Sequence, residues 1–153
     1  MSMITNITYF FALIASALWF AMAFRYFSFQ HRTFAKVIIP KTARNSPLFE
    51  TTAALSRFLG GMNSAFAMLA IILLVFWGIG APVFENPLER AIMLFVMAAA
   101  HFSQFIFNVP ILKNGERQGE SYWYVMTGPM RFIFFMDAFQ TIICVLAALA
   151  HLV

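Results

Sequence analysis

Cysteine is almost missing from this 153-residue chain. Cys144 stands alone, so no intrachain disulfide can form, and neither a Cys-x-x-Cys redox centre nor a cysteine-rich zinc site can be built. Four-span quinone-linked thiol oxidoreductases are excluded on that ground. Charge is scarce too: 10% of residues are charged, against about 25% in ordinary soluble domains. The net charge of +4 is not gathered into a basic run with interleaved polar residues, so no nucleic-acid partner is expected. Phosphate-cradling glycine loops are absent, because Gly60-Gly61 and Gly128 have no Lys-Ser/Thr partner. The first two apolar segments contain no Asp or Glu. A small multidrug exporter, which couples protons through an early-span carboxylate, is thereby excluded.

What is abundant is apolar surface: 62% of residues are hydrophobic, with twenty Phe and ten Met. At about 20 apolar residues per span, the length holds four spans and leaves nothing for a water-soluble domain. The expected fold is all-α, an integral membrane bundle of four antiparallel helices, with spans at about 5–28, 52–79, 87–109 and 125–152. The first segment lacks a basic n-region and a small-residue cleavage site, so it reads as a retained span. Thr51 or Thr52 is the expected cap of the second span, and Gly78 and Gly80 mark its end. Asn86-Pro87-Leu88-Glu89 opens the third with a cap, a first-turn proline and a dipole-complementing acid. Pro110 is expected to close it. The fourth starts either at the aromatic Tyr122-Trp123-Tyr124 or at Gly128-Pro129.

Lys and Arg are distributed unevenly. Residues 25–57 hold six, the turn at 81–90 holds Arg90, and residues 113–131 hold three. By the positive-inside rule the first and third loops face the cytoplasm and both termini face the other side. The absence of a transit peptide and the very short loops favour a bacterial inner membrane over the endoplasmic reticulum.

An ionisable group inside hydrocarbon needs a partner, a cavity or an interface. Arg57, His101, Arg131 and Asp137 meet that description, with Arg131 able to snorkel to the headgroups. His101, Gln104 and Asn108 fall at i, i+3, i+7 on one stripe of the third span, and Asp137, Thr141 and Cys144 form a comparable stripe on the fourth. Arg57, Asn63, His101, Gln104, Asn108 and Asp137 are thus the expected intramembrane polar cluster, with His101 and Asp137 at matched depth. Such residues also act as interhelical hydrogen-bond glue, so a ligand site and a structural tie both remain open. Ser56, Gly60 and Ser64 repeat every four residues, a small-xxx-small pattern for close helix packing. His31 reads as a loop residue and His151 as interfacial. A haem held by two histidines needs them at one depth, and zinc or di-iron needs three or more ligands at one level. Neither condition is met, so no cofactor and no metal are expected.

Three blocks carry a family resemblance: Ser56-Arg57-Phe58-Leu59-Gly60, then Ala100-His101-Phe102 with Gln104, then Gly128-Pro129. Over about two-thirds of the chain they resemble the small four-span scaffold proteins of ergosterol biosynthesis, although Gln104 stands where that family has an acid. The blocks are also similar to DoxX-like four-span proteins. The resemblance implies a non-catalytic accessory or scaffold subunit that associates with a larger membrane enzyme complex of lipid, sterol or redox metabolism. Membrane lipids and a larger complex or homo-oligomer are the expected partners. Two alternatives stand beside it. One is a small membrane enzyme of the glutathione-transferase type, which Arg57 and Asn63 on the second span resemble. The other is a membrane protein that binds a lipid or small molecule.

Overall fold

The computed structural model describes residues 3–119 and 121–153. Its helices are α1 (Met3–Phe29), α2 (His31–Ile38), α3 (Pro47–Gly78), α4 (Pro87–Ile106), α5 (Asn108–Lys113) and α6 (Gly128–Ala150). A two-stranded antiparallel ribbon, β1 (Arg117–Gln118) with β2 (Ser121–Tyr122), lies in the third loop. Four helical stretches, Met3–Phe29, Pro47–Gly78, Pro87–Lys113 and Gly128–Ala150, are long and apolar enough to cross a bilayer. The protein is an all-α integral membrane four-helix bundle. Its outer faces carry what hydrocarbon favours, with Phe58, Met62, Phe132 and Leu146 all exposed.

Element boundaries follow local chemistry, with two corrections. The second spanning helix starts at Pro47 behind Ser46, not at Thr51 or Thr52. Pro47 suits the first turn, where its missing N–H is no loss, while Thr51 and Thr52 donate back to the carbonyls of Pro47 and Leu48 inside the helix. Pro110 does not end the third spanning stretch either. A break at Phe107 separates α4 from α5, so Pro110 falls in the first turn of α5 and is tolerated there. Asn86 caps α4 through its side chain, which accepts from the Leu88 N–H at 2.9 Å. Gly128-Pro129 forms the first turn of α6, resolving that choice of start.

Helix α1 packs along α3, α4 along α6, and α1 against α6, whereas α3 and α4 make almost no direct contact. The packed core lies toward the termini, around Leu13, Ala17, Ala70, Leu94, Met97, Cys144 and Ala148. Half of its sixteen buried residues are alanines, which let helix backbones approach closely. Toward the other end two pockets lie between the helices. Small residues fix the one close crossing there: Ser56 and Gly60 are buried against α1, and a Cβ on Gly60 would meet the Ser28 side chain and stand 2.9 Å from the Ser28 nitrogen. Ser56 Oγ reaches the Phe27 carbonyl at 3.3 Å. Ser64, the third member of the stripe, bonds to the Gly61 carbonyl of its own helix. The stripe therefore serves the internal α1–α3 seam.

Candidate functional site: a polar pocket in the membrane interior

At the junction between the packed half and the half that holds the pockets lies a band of buried polar side chains. Asp137 and His101 are fully buried, with His101 Nδ1 3.5 Å from Asp137 Oδ1. The Trp19 indole N–H donates to the same carboxyl oxygen at 2.8 Å. His101 Nε2 lies 3.3 Å from Ser16 Oγ, which in turn lies 3.5 Å from Cys144 Sγ. The imidazole stacks on Phe20 with centroids 4.3 Å apart. Gln140, one turn beyond Asp137, donates to the Ala15 carbonyl at 3.0 Å. Helices α1, α4 and α6 thus meet through polar groups at one level. At 1.5 Å per residue, Asp137 is about 14 Å from the start of α6 and Trp19 about 15 Å from the end of α1, near the middle of a core about 30 Å thick.

Beside this band a cavity of about 590 Å³ occupies the space that α3 and α4 leave open. Asn63 lines it from α3, Gln104 and Asn108 from α4 and α5, and Asp137 from α6. Phe34 of α2 and Trp123 of the third loop line it toward the loops. Its lips, Leu59 and Met62 on one side and Val96 and Ala99 on the other, are exposed, so it opens sideways into the bilayer. A smaller pocket of about 270 Å³ between α1 and α6, lined by Trp19, Tyr26 and Phe132, abuts it at Phe27, Gln104 and Ile133.

Four of the six residues expected to cluster therefore share one cavity wall, and His101 stands directly behind Asp137. Arg57 does not join them; it is exposed. Six residues at 3.6 per turn place Arg57 about 120° around the helix from Asn63, and the buried stripe of α3 runs through Ser56, Gly60, Asn63, Ala67 and Ala70 instead. No Lys or Arg lines the cavity among the described residues. Arg131 is exposed, with its guanidinium 6.0 Å from the Phe135 ring, as a snorkelling residue would be. His31 is half-buried, with Nδ1 3.1 Å from the Ser28 carbonyl.

Two side chains that line the cavity each keep a buried, unspent oxygen. Asn63 uses its Nδ2 on the Leu59 carbonyl at 2.8 Å, which leaves Oδ1 without a partner, and Asp137 Oδ2 has none. Asn108, by contrast, is satisfied at both ends, donating to the Gln104 carbonyl at 2.7 Å and accepting from the Trp123 indole at 3.0 Å. Buried acceptors without donors are costly, and they concentrate here.

Reading for ionisable groups overlooks Ser16, Trp19 and Gln140, which complete the band. It also counts Arg90 as a loop charge, whereas Arg90 is buried: its Nε donates to the Phe84 carbonyl at 2.7 Å, its Nη1 to Asn6 Oδ1 at 2.8 Å, and it lies 4.7 Å from the Tyr9 ring centroid. His151, at the C-terminal end of α6, is buried against the protein, with Nδ1 2.8 Å from the Ala147 carbonyl and its ring edge-on to Tyr9. These groups tie the terminal end of the bundle shut.

Among the described residues no group of three His, Cys, Asp or Glu side chains comes together to hold a metal ion. Comparison of the chain with protein families, with curated proteins and with solved structures finds no match.

Proposed function

We propose that this protein is a non-catalytic integral membrane accessory component that binds a lipid-soluble small molecule in the cavity between α3 and α4. The observation that carries the proposal is a cavity of about 590 Å³, opening to the bilayer and lined by the buried Asp137 and Asn63, each of which keeps an oxygen without a partner. Its volume lies within the roughly 300 to 1,000 Å³ of small-molecule sites, and its mix of apolar walls with a few convergent polar groups is the usual composition of such sites. The glutathione-transferase alternative finds less support, because a tripeptide with two carboxylates needs cations and the cavity wall offers none. The accessory role agrees with the resemblance to four-span scaffold proteins of sterol metabolism, in which a larger membrane enzyme would draw on the bound molecule. The very short loops favour a bacterial inner membrane as its setting, and the loop charges favour both termini on the outer side.

Purification in mild detergent, with mass spectrometry of co-purifying proteins and of the organic extract, tests this reading. Wild type should carry a small lipophile near one per chain, together with a larger membrane protein, and Ala99→Trp, which fills the lateral opening, should lose the lipophile. Equal recovery of bulk phospholipid alone from both proteins would refute it.

A further inference from the structure

The lining of the α3–α4 cavity is specific about the polar end of its occupant. Asn63 Oδ1 is an acceptor, Asp137 Oδ2 is one when the carboxyl is ionised, and no hydrogen bond satisfies either. Asn63 cannot turn its amide to offer a donor without losing the 2.8 Å bond from Nδ2 to Leu59. A ligand that donates would satisfy both oxygens. Its route adds a second condition. The cavity opens between Leu59 and Met62 on one lip and Val96 and Ala99 on the other, so the ligand's polar end crosses hydrocarbon before reaching Asp137. Placing an ammonium or phosphate at that depth is disfavoured by roughly a hundredfold, a penalty a hydroxyl escapes. The body of the ligand meets aromatic side chains, Phe66, which is held by stacking on the buried Phe20 at 5.1 Å, and Trp123 toward the loops.

Resting on the reading of this cavity as a binding site, we infer that its ligand is a lipophilic ring compound with a small ring-borne hydroxyl that donates to Asp137, with Asn63 as the second acceptor. A phenolic quinol and an alicyclic sterol both present that chemistry. A phospholipid does not, since its polar group is bulky, anionic and held at the interface.

The test is native mass spectrometry of the full chain in detergent, titrated separately with decylhydroquinone, its dimethyl ether, cholesterol and decylamine. Decylhydroquinone or cholesterol should bind one per chain, and which of the two binds identifies the source. The hydroquinone should bind at least about tenfold tighter than the ether, the factor expected for one hydrogen bond to a carboxyl group. Asp137→Asn should narrow that preference. So should Asn63→Leu, which gives up only a bond within its own helix and is expected to keep the fold. Equal binding of hydroquinone and ether, abolished in both cases by Ala99→Trp, would overturn the hydroxyl inference while leaving the cavity a binding site. Tighter binding of decylamine would overturn it in favour of a cation. Binding of no probe, or binding that Ala99→Trp leaves unchanged, would remove both this inference and the reading beneath it.

Discussion

Trp19 and Asp137, 118 residues apart in the chain, are joined by a 2.8 Å hydrogen bond that ties the first spanning helix to the last in the middle of the membrane. The bond stands at a boundary. On the terminal side of it the bundle is packed on alanine, with Arg90, Tyr9 and His151 closing the end. On the loop side two pockets lie between the helices, one lined by Trp19 and the other by Asp137, while α1 and α3 stay in contact. A single side-chain pair therefore both holds the helices together and stands in the wall between two lipid-accessible spaces.

Trp19→Phe keeps most of the apolar bulk and removes the donor. Interhelical hydrogen bonds in membranes average about 0.6 kcal/mol and reach about 1.7, and a buried partner left unsatisfied raises the cost. A loss of about 1 to 2 kcal/mol in detergent unfolding is expected for Trp19→Phe. Because His101 approaches the same Asp137 oxygen at 3.5 Å, a cycle of His101→Leu and Asp137→Leu should show a coupling of at least about 0.5 kcal/mol. Additive effects would mean that the two side chains are neighbours without interaction.

The four spanning helices are legible in the sequence because apolar length alone specifies them, and Asn86 and Gly80, the latter at φ +76°, carry their boundaries in side-chain and backbone chemistry. The polar cluster is legible in part. His101 and Asp137 stand out as ionisable residues within apolar runs, but Ser16 and Trp19 do not, since an indole N–H in a span of aromatic residues carries no contrasting signal. Gln140 does carry one: it is a polar residue at i+3 from Asp137. Arg57 was misplaced by proximity in sequence, where counting 100° per residue separates it from Asn63. The cavity itself has no periodicity to reveal it. It exists because α3 and α4 fail to meet, a property of four helices together and of none alone.

Two adjacent glycines on α3 should respond in opposite ways. Gly60 is buried with the Ser28 nitrogen 2.9 Å from where a Cβ would stand, whereas a Cβ on Gly61 meets nothing within 4 Å. Gly60→Val forces α1 and α3 apart and should cost about 1 to 3 kcal/mol, as overpacking does. Gly61→Ala should be neutral or stabilising by up to about 1 kcal/mol through helix propensity. Thermal unfolding in detergent distinguishes them, and equal effects would show that the close α1–α3 crossing is not maintained in solution.

Arg90 offers a planar fork of donors, two of which reach the Phe84 carbonyl and Asn6 in different directions, beneath the Tyr9 ring. Arg90→Met preserves the aliphatic stem and leaves those acceptors without that donor, for an expected loss of about 1 to 3 kcal/mol. Lysine has a point charge and no fork, so Arg90→Lys should recover less than half of it. Full recovery by lysine would mean that charge alone, rather than the fork, secures this end.

Burial of Arg90 also sharpens the charge asymmetry that sets orientation. With Arg90 held inside the protein at 3% exposure, the turn between α3 and α4 presents Glu85 and Glu89 and no exposed Lys or Arg, while residues 25–57 carry six basic side chains and 113–131 carry three. Two of those six, Arg32 and Arg44, are engaged locally, the first with Glu50 at 2.8 Å and the second with the Ile39 carbonyl at 3.1 Å. Lys36 and Lys41 remain exposed beside the amphipathic α2, whose Phe34 and Ala35 are buried, and juxtamembrane basic residues of this kind contribute about 1 kcal/mol each toward an anionic leaflet. Phosphatase and fluorescent-protein fusions at residue 153 should report the C-terminus outside the cytoplasm, and cysteine labelling at Lys41 should place the first loop inside. Replacing Lys36 and Lys41 with Gln should leave that orientation intact, because Arg25, Arg57, Lys113, Arg117 and Arg131 still outweigh an α3–α4 turn without an exposed cation. A cytoplasmic C-terminus in the unaltered chain would show that buried polarity, rather than loop charge, decides how this bundle inserts.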